Sequence, residues 1–201
     1  FKSLLRPHIA ELAPYSSARD EYTGTEGIFL DANENPYGSA TPRDYNRYPD
    51  PYQAQIKAKL APIKGVRTEQ IFLGNGSDEP IDLLIRAMCT PGKDNVIIMP
   101  PTYGMYEVSA SINDVPLIKV PLTKEYQIHV EAVLAAVTPE TKIIWICSPN
   151  NPTGNLIERS AIQTILESFN GVVVVDEAYI DFASEPSWLT ALDQYPNLLV
   201  L

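Results

Sequence analysis

Four short polar segments follow apolar runs, and they contain the residue types that could bind a charged ligand. The first is GNGSDE at residues 74–79, where two glycines permit a tight turn and Ser77 is the predicted N-cap of the next helix. Free N–H groups and the positive end of the helix dipole at such a position bind phosphate. An ordinary capped helix has the same features, and a dinucleotide-binding GxGxxG pattern would need a glycine where Glu79 stands.

An aromatic segment and an amide-rich segment come next along the chain. PPTYGMY at residues 100–106 places Tyr103 just past a strand, where its ring could stack on a planar ligand or serve packing alone. SPNNPTGN at residues 148–155 has two asparagines framed by Pro149 and Pro152. This composition predicts a rigid polar turn with amide groups pointing into a crevice, which is more than an ordinary loop requires.

The fourth segment, GVVVVDEAYIDF at residues 171–182, places a carboxylate after four valines. A carboxylate at that point is costly to bury unless it is paired. Asp176 is therefore either a surface acid just beyond the strand or the partner of a cation in a ligand. Tyr179 would reach the same ligand if the chain turns helically after Asp176.

Alternating strands and helices are the elements that must position these residues. From residue 42 onward, apolar runs too continuous for a one-sided sheet alternate with helical patterns. This predicts a three-layer α/β/α domain with a mostly parallel sheet over residues 42–201, preceded by an extended, turn-rich arm at residues 1–41. Ligands of such sheets bind beyond the carboxyl ends of the strands, where the four segments lie. The predicted strands are 71–74, 95–99, 115–120, 142–147, 171–176 and 197–201, and the predicted helices are 53–63, 81–89, 103–112, 130–137 and 160–169.

Charge, cysteine content and hydropathy exclude several classes of partner. The net charge of −10 argues against nucleic acid or an anionic membrane. Cys89 and Cys147 lie inside apolar runs without metal-ligand spacing, so we interpret both as reduced core residues and predict no metal site. The sequence has no segment with the apolar length of a membrane span or signal peptide, and we expect a cytoplasmic protein.

Together, the four segments describe a phosphate cradle, a stacking ring, an amide and a buried carboxylate at the strand ends of one sheet. These groups suit a planar, phosphorylated, cationic ring, which points to pyridoxal phosphate. With LDANENPYG at residues 30–38 and NRYPDPY at 46–52, in this order and spacing, the sequence resembles the histidinol-phosphate aminotransferase branch of the fold-type I aminotransferases. The likeness runs from about Arg6 to Leu201.

The resemblance implies a pyridoxal-phosphate-dependent transaminase of histidine biosynthesis. Its reaction would convert histidinol phosphate and 2-oxoglutarate to imidazole acetol phosphate and glutamate. The cofactor contacts that it implies are Gly76, Ser77 and Asp78 at the phosphate, Tyr103 on the pyridine ring, Asn151 and Tyr179 at the phenolic oxygen, and Asp176 at the protonated ring nitrogen.

The resemblance also assigns roles to the first fifty residues. Tyr48 would reach the cofactor phosphate of the neighbouring subunit, which implies a homodimer. Tyr15, Asn33 and Glu34 would belong to an arm that covers the amino-alcohol substrate. Alternatively, this arm is a turn-rich segment held by ordinary hydrogen bonds.

A lysine that holds the cofactor and shuttles the substrate's α-proton is the residue that the sequence lacks. Lys142 begins a predicted strand and so lies at the wrong edge of the sheet, Lys119 lies within a strand-like run, and the others have the pattern of surface charges. In the family, the lysine follows the strand corresponding to NLLVL, which would put it just beyond Leu201. We therefore expect a truncated chain, without the small C-terminal domain, that cannot transaminate by itself.

Other functions remain open from the residues alone. Phosphothreonine decarboxylases and aromatic aminotransferases share much of the pattern, although LDANENPYG favours the histidinol-phosphate branch. A nucleotide-binding Rossmann domain is disfavoured by the interrupted glycine pattern and by the SPNNPTG turn. A noncatalytic interaction module would also fit the missing lysine.

Overall fold

A computed structural model describes residues 2–16, 27–30 and 32–201 of the chain. The chain forms two compact units, one of residues Phe1–Glu11 with Gly74–Leu201 and the other of residues Leu12–Leu73. The domain boundary that the sequence predicts after Thr41 stays a prediction. Asp31 of the LDANENPYG segment lies outside the described residues.

The larger unit is built on a five-stranded parallel sheet. Its strands are β1 (Asn95–Ile98), β2 (Leu117–Lys119), β3 (Thr141–Cys147), β4 (Val172–Asp176) and β5 (Leu198–Val200). They lie in the order β2-β1-β3-β4-β5, and every neighbouring pair is parallel. The central strands are buried on both faces, which explains why their sequences are continuous apolar runs.

Helices cover both faces of this sheet. The chain contains α1 (Pro7–Ala10), α2 (Ala54–Lys64), α3 (Asp78–Met88), α4 (Met105–Ile112), α5 (Val130–Ala135) and α6 (Arg159–Ser168). Side chains of α3 and α4 pack with Val96, Trp145 and Val174 on one face. Side chains of α5 and α6 pack with Ile144 and Val173 on the other. This arrangement confirms the predicted three-layer α/β/α fold.

The smaller unit contains α2 and a 3₁₀ turn at Thr68–Gln70. Asp50 holds the start of α2, because its carboxylate accepts hydrogen bonds from the backbone N–H groups of Tyr52 and Ala54, both at 2.8 Å. Both hydrogen bonds lower the pKa of the exposed Asp50, and the bond from Ala54 has the larger effect. Gly65 ends the helix in the left-handed region, at φ 67°, as is common at helix C-termini.

Most of the predicted elements are confirmed, and one is wrong. Predicted strands 95–99, 142–147 and 171–176 correspond to β1, β3 and β4 within a residue or two at each end. Residues 71–74 form no strand, and Phe72 in this segment is exposed. Their short apolar run has the residue types of a strand. A strand also needs a neighbouring strand to pair with, and a local sequence pattern does not indicate whether one is present.

Both cysteines confirm the prediction of reduced core residues. Cys89 and Cys147 are free and buried. Burial raises the pKa of Cys89 to about 12 and that of Cys147 to about 11, so neither thiol ionises readily.

Gly171, just before β4, is expected to tolerate no side chain. A Cβ atom there would lie 2.6 Å from the carbonyl oxygen of Lys142 and would also overlap the ring of Phe169. We predict that Gly171→Ala lowers the free energy of unfolding by about 1–3 kcal/mol, because the backbone must shift. Urea denaturation measures this change.

Gly104 supplies the matched control for this substitution. It has helical angles, with φ −69°, and a Cβ there would meet nothing within 4 Å. Gly104→Ala should therefore leave stability unchanged or raise it by up to about 1 kcal/mol. Equal losses in the two variants would contradict the steric explanation.

Candidate functional site

The carboxyl edge of the sheet includes the point where the chain reverses its direction of strand addition. From β1 the chain adds β2 on one side and then crosses to add β3 on the other. The loops after β1 and β3 are joined there by Asn150, whose Nδ2 donates to the carbonyl oxygen of Pro101 at 2.9 Å and to Thr153 Oγ1 at 2.7 Å. Ligands of open α/β sheets bind at such a reversal.

Asn150 corrects one detail of the sequence prediction. Both asparagine amides of SPNNPTGN were expected to face the crevice, but Asn150 is buried and its amide holds the loop together. The backbone confirms a tight turn, since the Gly154 N–H donates to the Asn150 carbonyl at 2.7 Å. Asn151, the residue predicted to contact the cofactor, remains at the surface of the loop and is half-buried.

Asp176 is the buried carboxylate at this edge. It is the last residue of β4 and only 3% exposed. Side chains alternate along a strand, so Asp176 lies on the same face as Val174, toward α3 and α4. Burial raises the pKa of Asp176, while hydrogen bonds from Tyr106 and from the backbone N–H of Ala178 oppose this rise. Within the described residues, Asp176 has no ion pair with a Lys, Arg or His side chain.

Tyr106 is a site residue that the sequence reasoning missed. Its hydroxyl donates to Asp176 Oδ2 at 2.6 Å, and the side chain is fully buried. The ring stacks on Trp145 with centroids 5.0 Å apart, and Tyr103 meets it edge-on at 5.6 Å. Two signals could have found it: it lies three residues after Tyr103 in the helix predicted at residues 103–112, and a buried tyrosine hydroxyl requires a partner.

Tyr103 links the loop after β1 to the start of α3. Its hydroxyl donates to Asp78 Oδ1 at 3.0 Å. This hydrogen bond is the main cause of the raised pKa of Tyr103, and burial of the side chain adds to the rise. The charge of Asp176 acts in the same direction. The structure thus connects three predicted residues: Tyr103 bonds Asp78 directly, and its ring contacts Tyr106, which bonds Asp176.

The start of α3 presents backbone N–H groups. Gly76 adopts φ 69°, in the left-handed region that favours glycine, and Ser77 is the residue before the first turn. The position of Ser77 as N-cap is confirmed, but its side chain makes no capping hydrogen bond. Glu79 instead holds the preceding loop, accepting from the backbone N–H of Asn75 at 2.6 Å. The first N–H groups of any helix have no partner within that helix, so those of Ser77 and Asp78 suit an anion.

An open cleft of about 540 Å³ lies between the loop after β3 and the turn after β4. Asn151 and Tyr179 both line it, together with Leu156 and Phe182. A turn at residues 178–179 leads into a 3₁₀ turn at Ile180–Phe182, and Tyr179 is the residue before that 3₁₀ turn. Such a volume suits a small molecule. Asp176 and Tyr103 are not among the cleft's lining residues.

Tyr15, Asn33, Glu34 and Tyr48 belong to the smaller unit. Tyr15, Asn33 and Tyr48 are exposed there. Glu34 connects the LDANEN and NRYPDPY segments, because its carboxylate pairs with Arg47 at 2.8 Å and accepts from the backbone N–H of Tyr48 at 2.8 Å. The two segments that carried the resemblance are therefore joined within this unit.

Among the described residues, no lysine of the larger unit forms an ion pair with Asp176. Lys142, near the start of β3, faces Asp94 at 3.7 Å, which confirms that it lies at the opposite edge of the sheet. Lys119 ends β2, and its Nζ lies 2.7 Å from Glu107. In the described part of the chain, no group of three or more His, Cys, Asp or Glu side chains could hold a metal ion. Within the same residues, every helix is too short or too polar to cross a bilayer.

Comparison with known proteins decides the family. The family model described as aminotransferase class I and II matches residues 24–201. The chain belongs to that family.

Curated members of the aminotransferase family that are similar to this chain include two histidinol-phosphate aminotransferases. The chain is 65% identical over 199 residues to the histidinol-phosphate aminotransferase of Cytophaga hutchinsonii, and 54% identical over 200 residues to that of Parabacteroides distasonis. These matches cover 99% and 100% of this chain and 57% of each relative, so the chain spans little more than half their length.

A solved aminotransferase shares the fold. The crystal structure of histidinol-phosphate aminotransferase from Sinorhizobium meliloti, in complex with pyridoxal-5'-phosphate, matches with a TM-score of 0.68. The match covers 77% of this chain and 43% of that protein at 23% identity, so the likeness is one of fold.

Proposed function

We propose that the protein containing this chain is a pyridoxal-phosphate-dependent histidinol-phosphate aminotransferase. It would convert histidinol phosphate and 2-oxoglutarate to imidazole acetol phosphate and glutamate, in the cytoplasm, as a step of histidine biosynthesis. The observation that carries the cofactor assignment is Asp176, a buried carboxylate without an ion pair among the described residues. The substrate assignment is supported by relatives of that name at 65% and 54% identity.

The residues of the site fit pyridoxal phosphate. A buried carboxylate is stable when it is paired with a cation, and a protonated pyridine nitrogen supplies one. When bound, the cofactor provides a cationic ring that accepts the electron pair left by the substrate's α-proton. Asp176 would hold the charge of the ring nitrogen, and the ring of Tyr103 would lie against the cofactor's face.

The remaining cofactor contacts are assigned by position. Backbone and side-chain groups of Gly76, Ser77 and Asp78 would anchor the phosphate, since these residues form the turn and the first residue of α3. Asn151 and Tyr179 would hydrogen-bond the phenolic oxygen, and their shared lining of one cleft supports this pairing.

Four residues of the smaller unit are proposed to serve the substrate and a homodimer. Tyr48 would bind the cofactor phosphate of the neighbouring subunit, and Tyr15, Asn33 and Glu34 would contact the substrate. The exposure of Tyr15, Asn33 and Tyr48 supports contacts with a ligand or another subunit. The Glu34 carboxylate, bonded to Arg47 and to the Tyr48 backbone, would act by ordering this segment. We further propose residues 1–41 as an arm and residues 42–201 as part of the cofactor-binding domain.

An amino-transfer assay on the purified full-length protein tests this function. With 2-oxoglutarate as acceptor, we expect kcat/KM for histidinol phosphate to exceed that for phenylalanine by at least about tenfold, because a site that binds the phosphate of its substrate discriminates against an analogue that lacks it. The protein should also show visible absorption from bound cofactor. Preference for phenylalanine, release of carbon dioxide from phosphothreonine, or bound NAD without the visible band would each overturn the proposal.

A further inference from the structure

Asp176 is held from both sides by hydrogen-bond donors. Tyr106 donates to Oδ2 at 2.6 Å, and the backbone N–H of Ala178 donates to Oδ1 at 3.1 Å. A carboxylate oxygen accepts two hydrogen bonds, so each oxygen keeps one free acceptor site for a ligand. The two donors fix the plane of the carboxylate and leave it able to bind.

The ring of Tyr106 is clamped by its neighbours. Trp145, on central strand β3, stacks on it nearly parallel at 14°, and Tyr103 packs edge-on at 86°. Such aromatic contacts hold a ring in one orientation. The direction of the Tyr106 hydroxyl is therefore set by the sheet and by α4, rather than by the ligand.

Tyr106 remains a proton donor. Burial raises the pKa of Tyr106 well above its ordinary value, and the charge of Asp176 adds to the rise. The titratable groups that interact with Asp176 are Tyr106 from α4, Cys147 from β3, Asp78 at the start of α3 and Tyr103 in the loop after β1. These groups are neutral or acidic, so the negative charge of Asp176 depends on its two hydrogen-bond donors.

We propose that Tyr106 is the positioning residue of Asp176: its hydroxyl keeps the carboxylate ionised and oriented toward a cationic ring nitrogen. Tyr106 itself touches no ligand in this role. The identity of the cation rests on the proposed function. The hydrogen bond from Tyr106 favours the charged form, because a donor stabilises an ionised carboxylate more than a protonated one.

Tyr106→Phe in the full-length protein removes the hydroxyl and keeps the stacked ring. In the cofactor-free protein, we expect the Asp176 titration midpoint to rise by about one pH unit or more, since a hydrogen bond to the charged form is lost. Carboxyl-¹³C-aspartate NMR measures this midpoint, with the Asp176 signal assigned by its absence in Asp176→Asn. Thermal unfolding verifies that the variant is folded.

Cofactor affinity across pH is the second measurement. If the ionised carboxylate binds the ring, affinity falls about tenfold per pH unit below the Asp176 midpoint, and Tyr106→Phe should move this fall to higher pH. A merely structural role of Tyr106 would weaken binding equally at every pH. Tyr195→Phe is the matched control, because its hydroxyl bonds Glu167 on the other sheet face and its loss should move neither midpoint.

The two measurements separate this inference from the proposed function. An unchanged Asp176 midpoint in Tyr106→Phe overturns the positioning role, whatever the cofactor. A raised NMR midpoint supports it even if the wild-type protein fails to bind pyridoxal phosphate, and that failure would refute the proposed function alone. A raised midpoint with an unshifted affinity profile would overturn the orientation toward the ring nitrogen.

Discussion

Asp176→Asn is expected to lower kcat/KM of the full-length protein for amino transfer by a factor of about 10² to 10³, the usual loss when a preorganised charge partner is removed. The amide is neutral and cannot stabilise a protonated ring nitrogen. The substitution keeps the shape of the side chain, so the loss would come from charge. Steady-state kinetics with histidinol phosphate measure it.

The same variant should not destabilise the cofactor-free protein. Burial raises the pKa of Asp176 above its ordinary value of 3.8. The carboxyl therefore contributes stability that is fully present below its unfolded pKa and is lost as the pH rises through the folded pKa. Above that window the folded protein bears an uncompensated buried charge, which asparagine lacks. At pH 7 we expect Asp176→Asn to unfold at the same temperature as the wild type or higher.

An asparagine at position 176 can keep the hydrogen bonds that surround Asp176, so the unfolding temperature need not fall. The asparagine Oδ1 can accept from the Ala178 N–H, and its Nδ2 can donate to the Tyr106 oxygen, which also accepts. Glu131→Gln, at an exposed position in the first turn of α5, is the control for exchanging a carboxylate for an amide and should change neither property. Full activity of Asp176→Asn, or a large loss of cofactor-free stability, would contradict the assignment.

The sheet could be predicted because its central strands are buried on both faces. The runs IIWIC and VVVV are apolar without interruption, as is typical of a parallel strand covered on both faces, and both are strands in the structure. IFLG at residues 71–74 has similar residue types but forms no strand. The difference lies in partner strands and covering helices, which are properties of distant parts of the chain.

Site residues could be predicted from the sequence where the neighbouring residues alone indicate whether a side chain is buried. A carboxylate after four valines indicated a buried acid, and Asp176 is one. Tyr106 was missed because its partner lies seventy residues away, and only the alternation along β4 places Asp176 on the face that α4 covers. Asn150 and Asn151 are adjacent and chemically identical, so sequence could not decide which amide holds the loop.

Trp145→Ala is expected to cost about 3–5 kcal/mol of unfolding free energy, the usual range for emptying a large aromatic site in a core. Trp145 is fully buried in β3, between its strand neighbours and the ring of Tyr106. Since small domains are stable by only about 5–15 kcal/mol, this is a large fraction. Chemical denaturation of the full-length protein measures the loss.

Trp145→Phe separates ring stacking from volume. Phenylalanine keeps an aromatic face under Tyr106 and removes the indole Nε1, which is buried and has no hydrogen-bond partner in the described residues. An unsatisfied buried donor costs about 1–3 kcal/mol, so its removal offsets part of the lost packing. We expect Trp145→Phe to lose less than half as much stability as Trp145→Ala and to keep the Asp176 titration midpoint. Equal losses of unfolding free energy in the two variants would contradict a stabilising role of the stacked aromatic face.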